Sequence, residues 1–365
     1  MRPQIKPEAY WNPDIAQHEL THVFLASWIF AGVVTQLPNH HDFMTVELAH
    51  LSLIIQNFDG EIKAFENVCT HRFSRIHTEC RGNRPMICPY HAWSFNKHGM
   101  PQGIPQKPHF GDLDPETLTS LKLKEWEVGI VGKCIFVRHP NADTSEKPST
   151  FLGAYFNLLE KMSQGLDTEI DYNPLDIGCN WKIAVENTLE SYHVAPIHAK
   201  TFYKLGAIGE KFEITDPHSS WLATLNEKTV SQWQRVKKNY REMQYEVGGY
   251  LHVFLYPNMT VATTHGGSFS VQRFLPIAPD RTRFESWVFD CKTTAQSETD
   301  KTILSMMNKS IIDFNRSVFS EDKTICEQVQ KGATQATCPG LLSDIEDRVL
   351  TFQRSYQKSM SVTKS

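Results

Sequence analysis

Two short stretches of the sequence carry paired sulfur and nitrogen ligands. Cys69 and His71 form a C-x-H pair, and 16 residues separate it from the C-x-x-H pair of Cys88 and His91. Zinc sites usually pair like ligands, with two cysteines close together and two histidines close together. The mixed pairing suits a [2Fe–2S] cluster in which two thiolates bind one iron and two imidazoles the other. The spacing therefore favours an electron-transferring cluster over a structural zinc site.

A second set of possible metal ligands lies in "NTLESYHVAPIHAKTF". His193 and His198 are five residues apart, so on a continuous helix they would point about 140° apart. The pattern predicts a helix from about Asn180 that runs to Pro196, between the two histidines, where proline disrupts it and lets the chain bend and bring both imidazoles together. Two imidazoles and one carboxylate on one face of Fe(II) leave positions open for O2 and substrate. Taken alone the spacing is a weak signal, because histidines near a helix end more often cap carbonyl groups.

The elements that must position these groups divide the chain in two. Up to residue 150 the pattern is one of short strands and turns, including a hairpin turn at Asp59-Gly60, and residues 139–150 form a polar linker. Helical patterns follow, with an antiparallel meander over residues 250–290 and a long helix over about 300–331. The sequence predicts an α+β protein: an N-terminal helix and a small all-β domain in residues 1–150, and helices on an antiparallel sheet in residues 151–365.

Composition argues against several classes of protein. The chain has 37 basic and 41 acidic residues, a net charge of −4, which does not suit a nucleic-acid-binding surface. The longest apolar stretch, Val23 to Val34, is too short to span a bilayer, and the N-terminus lacks the apolar segment of a signal peptide. The eight cysteines lack the dense spacing of a secreted disulfide scaffold. We therefore expect a cytoplasmic protein without membrane or nucleic-acid partners.

Both ligand sets carry a family resemblance. "VCTHR" and "CPYHAWSFNKHG" resemble the Rieske motif of oxygenases, and "NWKIAVENTLESYHVAPIH" resembles the iron-binding stretch of Rieske-type mononuclear non-heme iron oxygenases, the ring-hydroxylating oxygenase alpha subunit family. The motifs occur in the family's order, and the resemblance covers roughly residues 20–355. It implies one [2Fe–2S] cluster and one Fe(II) per chain, in a Rieske domain followed by a catalytic domain of helix-grip fold.

The resemblance also implies the third iron ligand. "FSEDKTICEQVQKG" resembles the downstream helix that supplies the carboxylate in the family, and its alignment indicates Asp322. The neighbouring Glu321 is the nearest competitor for this role. Asn187 matches a position that hydrogen-bonds near the iron.

Glu190 matches an acid that, in family members, bridges an iron-ligand histidine of one subunit and a cluster-ligand histidine of the next. The usual residue there is aspartate, and glutamate occurs in a smaller branch that includes carnitine monooxygenase. The resemblance therefore implies a homotrimer in which Glu190 carries electrons between subunits.

The implied activity is that of a terminal oxygenase that uses O2 and electrons from an NAD(P)H-dependent flavin reductase or a ferredoxin. The chain has no G-x-G-x-x-G stretch, so the reductase must be a separate partner. Phe202, Tyr203, Phe254 and Tyr256 are predicted near the pocket, where they could hold an aromatic ring or a trimethylammonium group.

Hydroxylation of a small organic substrate, aromatic above all, is the first hypothesis for the reaction. Oxidative N-demethylation or C–N cleavage of a quaternary ammonium substrate, such as a carnitine-like or betaine-like compound, is the second. A Rieske electron-transfer protein without catalysis is the third, and it leaves the more than 200 residues after the first domain without a role.

Overall fold

The computed structural model describes residues 4–142, 146–240 and 242–361, with the backbone alone for 208–210 and 236–240. Contacts divide the described chain into two compact units. The small unit contains residues 25–130 and 134–147, and the large unit contains the segment ending at Phe24, residues 131–133 and the chain from Pro148 onward. Among the described residues, no helix has the length and apolar character needed to cross a membrane.

The helices lie mainly in the large unit. In chain order they are α1 (Pro13–Glu19), α2 (Pro115–Ser120), α3 (Pro148–Leu152), α4 (Tyr155–Ser163), α5 (Trp181–Thr188), α6 (Val194–Ile197), α7 (Glu227–Tyr240), α8 (Glu298–Ala333) and α9 (Asp347–Met360). A π-helical turn over Leu20–Phe24 continues α1, and short 3-10 turns lie at Pro7–Tyr10, Val34–Gln36, Lys107–Phe110, Phe202–Leu205 and Asp344–Glu346.

The small unit is built around an antiparallel sheet. Its strands are β1 (Ile29–Val33), β2 (Asp42–Leu48), β3 (Leu51–Phe58), β4 (Glu61–Glu66), β5 (Arg81–Asn83), β6 (Ser94–Phe95), β7 (Pro101–Gly103), β8 (Glu125–Val131) and β9 (Cys134–Arg138). The sheet order is β1-β9-β8-β4-β3-β2-β5, and β6 pairs with β7. Asp59 and Gly60 join β3 to β4 with φ values of 54° and 92°, as a two-residue turn requires, which confirms the predicted hairpin.

The large unit carries its helices on a second antiparallel sheet. Its strands are β10 (Thr168–Ile177), β11 (Ile208–Thr215), β12 (His218–Thr224), β13 (Tyr250–Leu255), β14 (Met259–Thr264), β15 (Ser268–Ala278) and β16 (Arg281–Asp290). The order is β10-β16-β15-β14-β13-β12-β11. The predicted meander corresponds to β13–β16, whereas β10–β12 were not predicted from the sequence. The predicted α+β class is confirmed.

The segment ending at Phe24 belongs to the large unit, whereas the sequence analysis placed it with the residues up to 150. Glu19, a buried acid at the end of α1, explains the difference. Its carboxylate accepts hydrogen bonds from Trp181 Nε1 and Tyr356 Oη, both at 2.8 Å, and pairs with the buried Lys182. Removing one partner would leave a buried charge unpaired, so the segment is held firmly to α5 and α9.

Glu186 on α5 gives the fold a predictable pH dependence. It accepts hydrogen bonds from Tyr10 Oη (2.9 Å) and Gln353 Nε2 (3.0 Å), and burial raises its pKa from an ordinary value of 4.5 to about 7. The folded chain thus keeps a proton that the unfolded chain releases, so this stabilisation is complete below about pH 4.5 and is lost as the pH rises through about 7.

Glu186→Gln should therefore flatten the fall in melting temperature between pH 5 and pH 8, measured by circular dichroism. Glu160→Gln on the exposed face of α4 is the control, and an unchanged slope in Glu186→Gln would show that Glu186 is ionised in the folded chain.

Candidate metal centres and substrate cavity

Two loops of matching conformation carry the candidate cluster ligands in the small unit. The backbone N–H of Cys69 donates to Ser74 O and that of Cys88 donates to Trp93 O, both at 2.8 Å and both five residues ahead. The fourth residue after each cysteine, Phe73 and Ala92, adopts a positive φ of 62° and 56°. Residues other than glycine rarely adopt a positive φ, and backbone strain of this kind concentrates at functional sites.

The candidate ligand atoms fit a [2Fe–2S] cluster. Cys69 and Cys88 are buried, and their thiols lie close enough to interact with each other. The rings of His71 and His91 lie 4.6 Å apart, and the Nδ1 atom of each is buried without a hydrogen-bond partner among the described residues. Buried polar atoms are normally paired, so two orphaned ring nitrogens beside two thiols are what a missing metal ligation leaves behind.

Protonation of these groups agrees with that assignment. Burial lowers the pKa of His71, which keeps the imidazole neutral as a ligand requires. Burial raises the pKa of the Cys69 thiol to about 11, so cluster binding must displace its proton. Trp93 stacks on the His71 ring at 4.9 Å and covers it, while Tyr90, 53% exposed, tilts against His91.

Cys88→Ser is expected to abolish the cluster. The variant should lose the visible absorption of the [2Fe–2S] centre and about two irons and two sulfides per chain, because a serine hydroxyl does not replace a thiolate here. Cys80→Ser is the matched control, since Cys80 lies between the loops but is exposed and outside the ligand set. A cluster that survives in Cys88→Ser, by absorption and by iron and sulfide analysis, would contradict the assignment.

The second candidate centre begins where α5 ends, and here the sequence prediction of a helix running to Pro196 is wrong. α5 stops at Thr188, a turn follows, and α6 starts at Val194. Pro196 lies in the first turn of α6, where a missing N–H disrupts no hydrogen bond. His193 and His198 therefore flank a single short helical turn, which brings their rings to a centroid distance of 5.1 Å.

The second centre brings two imidazoles and one carboxylate together. His193 Nε2 lies 3.2 Å from His198 Nε2, and Asp322 Oδ1 lies 3.0 Å from His198 Nε2 and 3.6 Å from His193 Nε2. Among the described residues these three form the set of potential metal ligands whose donor atoms converge within 4.8 Å. Such a set of ligands on one side of a metal is typical of non-heme Fe(II).

Acids behind the two histidines fix their tautomers. His193 Nδ1 hydrogen-bonds to Glu190 Oε1, and His198 Nδ1 lies 2.7 Å from Glu321 Oε2. Each Nδ1–H donates to a carboxylate, so each Nε2 presents its lone pair to the shared point. Burial lowers the pKa of His198, but the hydrogen bonds and charges of Asp322 and Glu321 outweigh it and raise the pKa overall.

Glu321 and Asp322 therefore stand on opposite sides of His198. Glu321 also accepts a hydrogen bond from Thr201 Oγ1 at 2.6 Å, so its carboxylate is directed away from the converging atoms. Asp322 Oδ1 accepts a hydrogen bond from Asn187 Nδ2 at 2.7 Å. This arrangement favours Asp322 as the ligand, Glu321 as the partner of His198, and Asn187 as the residue that orients Asp322.

Asn180 ties the helices of the centre together. Its side-chain oxygen accepts from Lys182 N at 3.0 Å and caps the start of α5, while its backbone N–H donates to Gln330 Oε1 on α8 at 2.7 Å. At the other end of α8, Ser297 and Asp300 form a capping box that starts the helix at Glu298. The Asn180–Gln330 contact links α8, and hence Asp322, to the start of α5.

A cavity of about 510 Å³ opens beside the three converging ligands. Aromatic side chains form one wall: the Phe202 ring lies 5.0 Å from Tyr250 and 6.5 Å from Phe314, and the Trp221 ring lies 5.7 Å from Tyr250. We call these four residues the aromatic wall. Glu190 also lines the cavity, and the described lining residues include no lysine or arginine.

The sequence analysis predicted four aromatic residues near the cavity, and this prediction is only partly confirmed. Phe202 lines the cavity, but Tyr203 points outward with 58% of its surface exposed. Phe254 and Tyr256 are buried against Phe352 of α9, at ring distances of 5.7 and 6.1 Å, and do not line the cavity. Phe254 shares a face of β13 with Tyr250, so its position along the strand, under α9, is what keeps it out of the cavity, and the sequence did not reveal that position.

The fold and the two ligand sets define the chain as a Rieske-type oxygenase. The family model for the Rieske [2Fe-2S] domain matches residues 27–126, and that for the ring hydroxylating alpha subunit (catalytic domain) matches residues 160–362. The second match covers more than half of the chain, so the chain belongs to the ring-hydroxylating alpha subunit family. It is a Rieske non-heme iron oxygenase, whose cofactors are a [2Fe–2S] cluster and a mononuclear iron.

Relatives of known activity align with nearly all of the chain. The chloroplastic choline monooxygenase of Beta vulgaris is 26% identical over 350 residues, which are 90% of this chain and 72% of the relative. The carnitine monooxygenase oxygenase subunit of Escherichia coli (strain K12) is 27% identical over 334 residues, 88% of this chain and 82% of the relative.

A solved structure shows the same fold. It is a quaternary ammonium Rieske monooxygenase, described for its carnitine oxidation and inter-subunit electron transfer, and it superposes with a TM-score of 0.76 at 18% identity. The superposition covers 98% of this chain and 94% of the other.

Proposed function

We propose that this chain is the terminal oxygenase component that oxidises a C–H bond of a small quaternary ammonium compound. One oxygen atom of O2 enters the C–H bond and the other leaves as water, with two electrons supplied through a separate reductase and two protons taken from solvent. A hydroxylated N-methyl group then leaves as formaldehyde when its C–N bond breaks, which releases a proton and a tertiary amine and amounts to N-demethylation. This choice reverses the order of preference from the sequence, where ring hydroxylation came first.

The aromatic wall beside the candidate iron ligands is the observation that carries the proposal. Aromatic faces attract quaternary ammonium groups through the ring quadrupole, most strongly in a desolvated site. The cavity adds the carboxylate of Glu190 and, among its described lining residues, no lysine or arginine, so its lining suits a cation. Both relatives named above act, by their names, on trimethylammonium compounds.

The cofactor ligands are part of the same proposal. We assign Cys69, His71, Cys88 and His91 to the cluster, and His193, His198 and Asp322 to the iron. When bound, the cluster passes on single electrons and the iron activates O2. The chain itself holds the ammonium group on the aromatic wall and, through Glu190 and Glu321, keeps the ligand histidines in the tautomer that leaves Nε2 unprotonated.

Electron delivery from one subunit to the next accounts for the position of Glu190. Its two carboxylate oxygens contact the His193 ring and the His193 backbone N–H (3.1 Å), so it sits against the iron ligand rather than in the cavity centre. We propose a homotrimer in which Glu190 meets the cluster domain of the neighbouring subunit. The structurally similar monooxygenase, for which inter-subunit electron transfer is described, supports this arrangement.

A single-turnover experiment tests the function. Anaerobically reduced holoenzyme is given O2 with trimethylammonium compounds or with arenes and aromatic acids, and products are identified by mass. Formaldehyde or a hydroxylated or aldehyde product from an ammonium compound would support the proposal. Oxygen insertion into a ring compound, with no reaction of the cations, would replace it with the ring-hydroxylating function.

Trp221→Leu tests the aromatic wall. We expect the variant to bind choline about 10- to 30-fold more weakly, because a desolvated cation–π contact contributes about 2 kcal/mol. The neutral isostere 3,3-dimethylbutan-1-ol should lose much less affinity, since it has the same shape without the charge. Trp11→Leu, at an exposed position, is the control. Equal losses for choline and its isostere, measured by calorimetry, would show that the wall binds by shape alone.

A further inference from the structure

A buried arginine lies directly behind one residue of the cavity wall. Arg348 on α9 is 1% exposed, and its Nε donates to Ser219 Oγ at 3.0 Å while its Nη2 donates to His252 Nδ1 at 3.0 Å. No carboxylate of the described residues forms an ion pair with Arg348. Arginine stays protonated even though burial lowers the pKa of this one to about 10, so a positive charge stands behind the imidazole.

The contact with Arg348 determines which nitrogen of His252 carries the proton. Guanidinium N–H groups only donate, so Nδ1 must accept, and the proton of the neutral ring resides on Nε2. Burial, reinforced by the charge of Arg348, lowers the pKa of His252 well below its usual value and keeps the ring neutral. Arg348 is the one side chain among the described residues that hydrogen-bonds to the ring, so Nε2–H is left without a side-chain acceptor.

The register of the sheet places this donor in the cavity wall next to the aromatic residues. His252 lines the cavity and is 5% exposed. It is paired across β12 and β13 with Trp221, and Tyr250 lies two residues earlier on the same face of β13. A substrate whose ammonium group contacts Trp221 and Tyr250 would therefore have the rest of its length near the imidazole.

We infer that His252, held in one tautomer by Arg348, is a specificity residue that donates a hydrogen bond from Nε2 to an oxygen atom of the substrate. The oxygen belongs to a hydroxyl, carbonyl or carboxylate group, because the uncompensated charge of Arg348 polarises the N–H towards an acceptor. This rests on the proposed function for the ammonium end of the substrate, but the donor itself does not depend on it. Arg348 is a positioning residue, since it acts on the substrate only through His252.

Three trimethylammonium probes test the inference by calorimetry on the holoenzyme. Choline carries a hydroxyl, glycine betaine a carboxylate, and propyltrimethylammonium no oxygen. His252→Phe should raise the Kd of choline about tenfold, and that of betaine at least as much if the acceptor is a carboxylate, while the Kd of propyltrimethylammonium stays unchanged. His252→Gln, which keeps an N–H donor, should restore part of the loss. His265→Phe, outside the cavity lining, is the control.

The outcomes separate this inference from the proposed function. If His252→Phe weakens all three cations equally, or none, the ring serves only packing and the inference is overturned. If the wild-type enzyme binds none of the cations, the proposed function fails, and benzyl alcohol and ethylbenzene serve as the oxygen-bearing and oxygen-free pair. A selective loss for the alcohol then upholds the donor, and no selective loss overturns it.

Arg348→Gln tests whether Arg348 positions the His252 ring, again by comparing the probes that carry an oxygen with the one that does not. A glutamine can donate to His252 Nδ1 but lacks the charge, so the oxygen-bearing probes should lose part of their affinity and propyltrimethylammonium none. An equal loss for all probes is what a purely structural arginine would produce, and it would overturn the role of Arg348. Metal content and melting temperature establish that each variant is folded.

Discussion

Asp322→Ala is expected to yield a protein with an intact cluster and no mononuclear iron. Asp322 Oδ1 is the carboxylate oxygen that lies with the Nε2 atoms of His193 and His198, and two imidazoles alone hold Fe(II) weakly. Iron should fall from about three to about two per chain, with the visible spectrum of the cluster unchanged. Turnover should fall on the order of a thousandfold or more, because loss of the metal removes several kcal/mol of transition-state stabilisation.

Glu321→Ala is the matched control, since it removes the neighbouring carboxylate on the same helix. Glu321 contacts His198 Nδ1 from the far side of the ring, so its loss should weaken iron binding by about 10- to 100-fold without abolishing it. With excess Fe(II) this variant should recover most of its activity, and Asp322→Ala should not. The reverse pattern in iron analysis would make Glu321 the ligand and refute the assignment of Asp322.

Glu190→Gln is expected to keep both metal centres and to lose turnover by about 100-fold, the upper end of the effects seen for residues that hold metal ligands. The amide oxygen of glutamine can still accept from His193 Nδ1, so iron should remain bound. What is lost is the negative charge proposed to link the iron site to the cluster of the next subunit. The measurement is the rate at which the reduced cluster is reoxidised by O2 in the presence of substrate.

Glu190→Asp separates charge from length in this position. If the carboxylate itself carries the role, the aspartate variant should reoxidise its cluster faster than the glutamine variant. Normal cluster reoxidation in Glu190→Gln would exclude the bridging role. Loss of iron from Glu190→Gln would instead show that Glu190 acts mainly by orienting His193.

Residues close together in the chain were well suited to prediction from the sequence. Each cysteine–histidine pair spans three or four residues in one tight loop, so its spacing reports directly on the geometry of ligation. The Asp59-Gly60 turn is equally local, because φ at two adjacent residues determines it. The end of α5 at Thr188 was missed, since Pro196 suggested a bend farther along and the first turn of a new helix accommodates proline equally well.

Contacts between segments far apart in the chain determine which carboxylate meets the histidines and which aromatic residues line the cavity. Glu321 and Asp322 are neighbours on α8, and only the approach of His198 from another element distinguishes them. Trp221 and Tyr250 became cavity residues through the pairing of β12 with β13, while Phe254, farther along the same face of β13, packs against α9. Strand register and helix packing are set by the whole core, and a local pattern does not record them.

The sequence by itself determined the class of chemistry, because the metal ligands are short motifs whose residue types and spacing leave few alternatives. It also determined the order of an all-β unit followed by an antiparallel sheet with helices. Only the tertiary structure decided what lines the cavity and which acid lies behind His198, since the aromatic wall, the Glu321–His198 contact and the Arg348–His252 pair each join elements far apart in the chain. Recognition of a substrate depends on side chains that meet in space, and their meeting follows from burial of the common core rather than from any one segment.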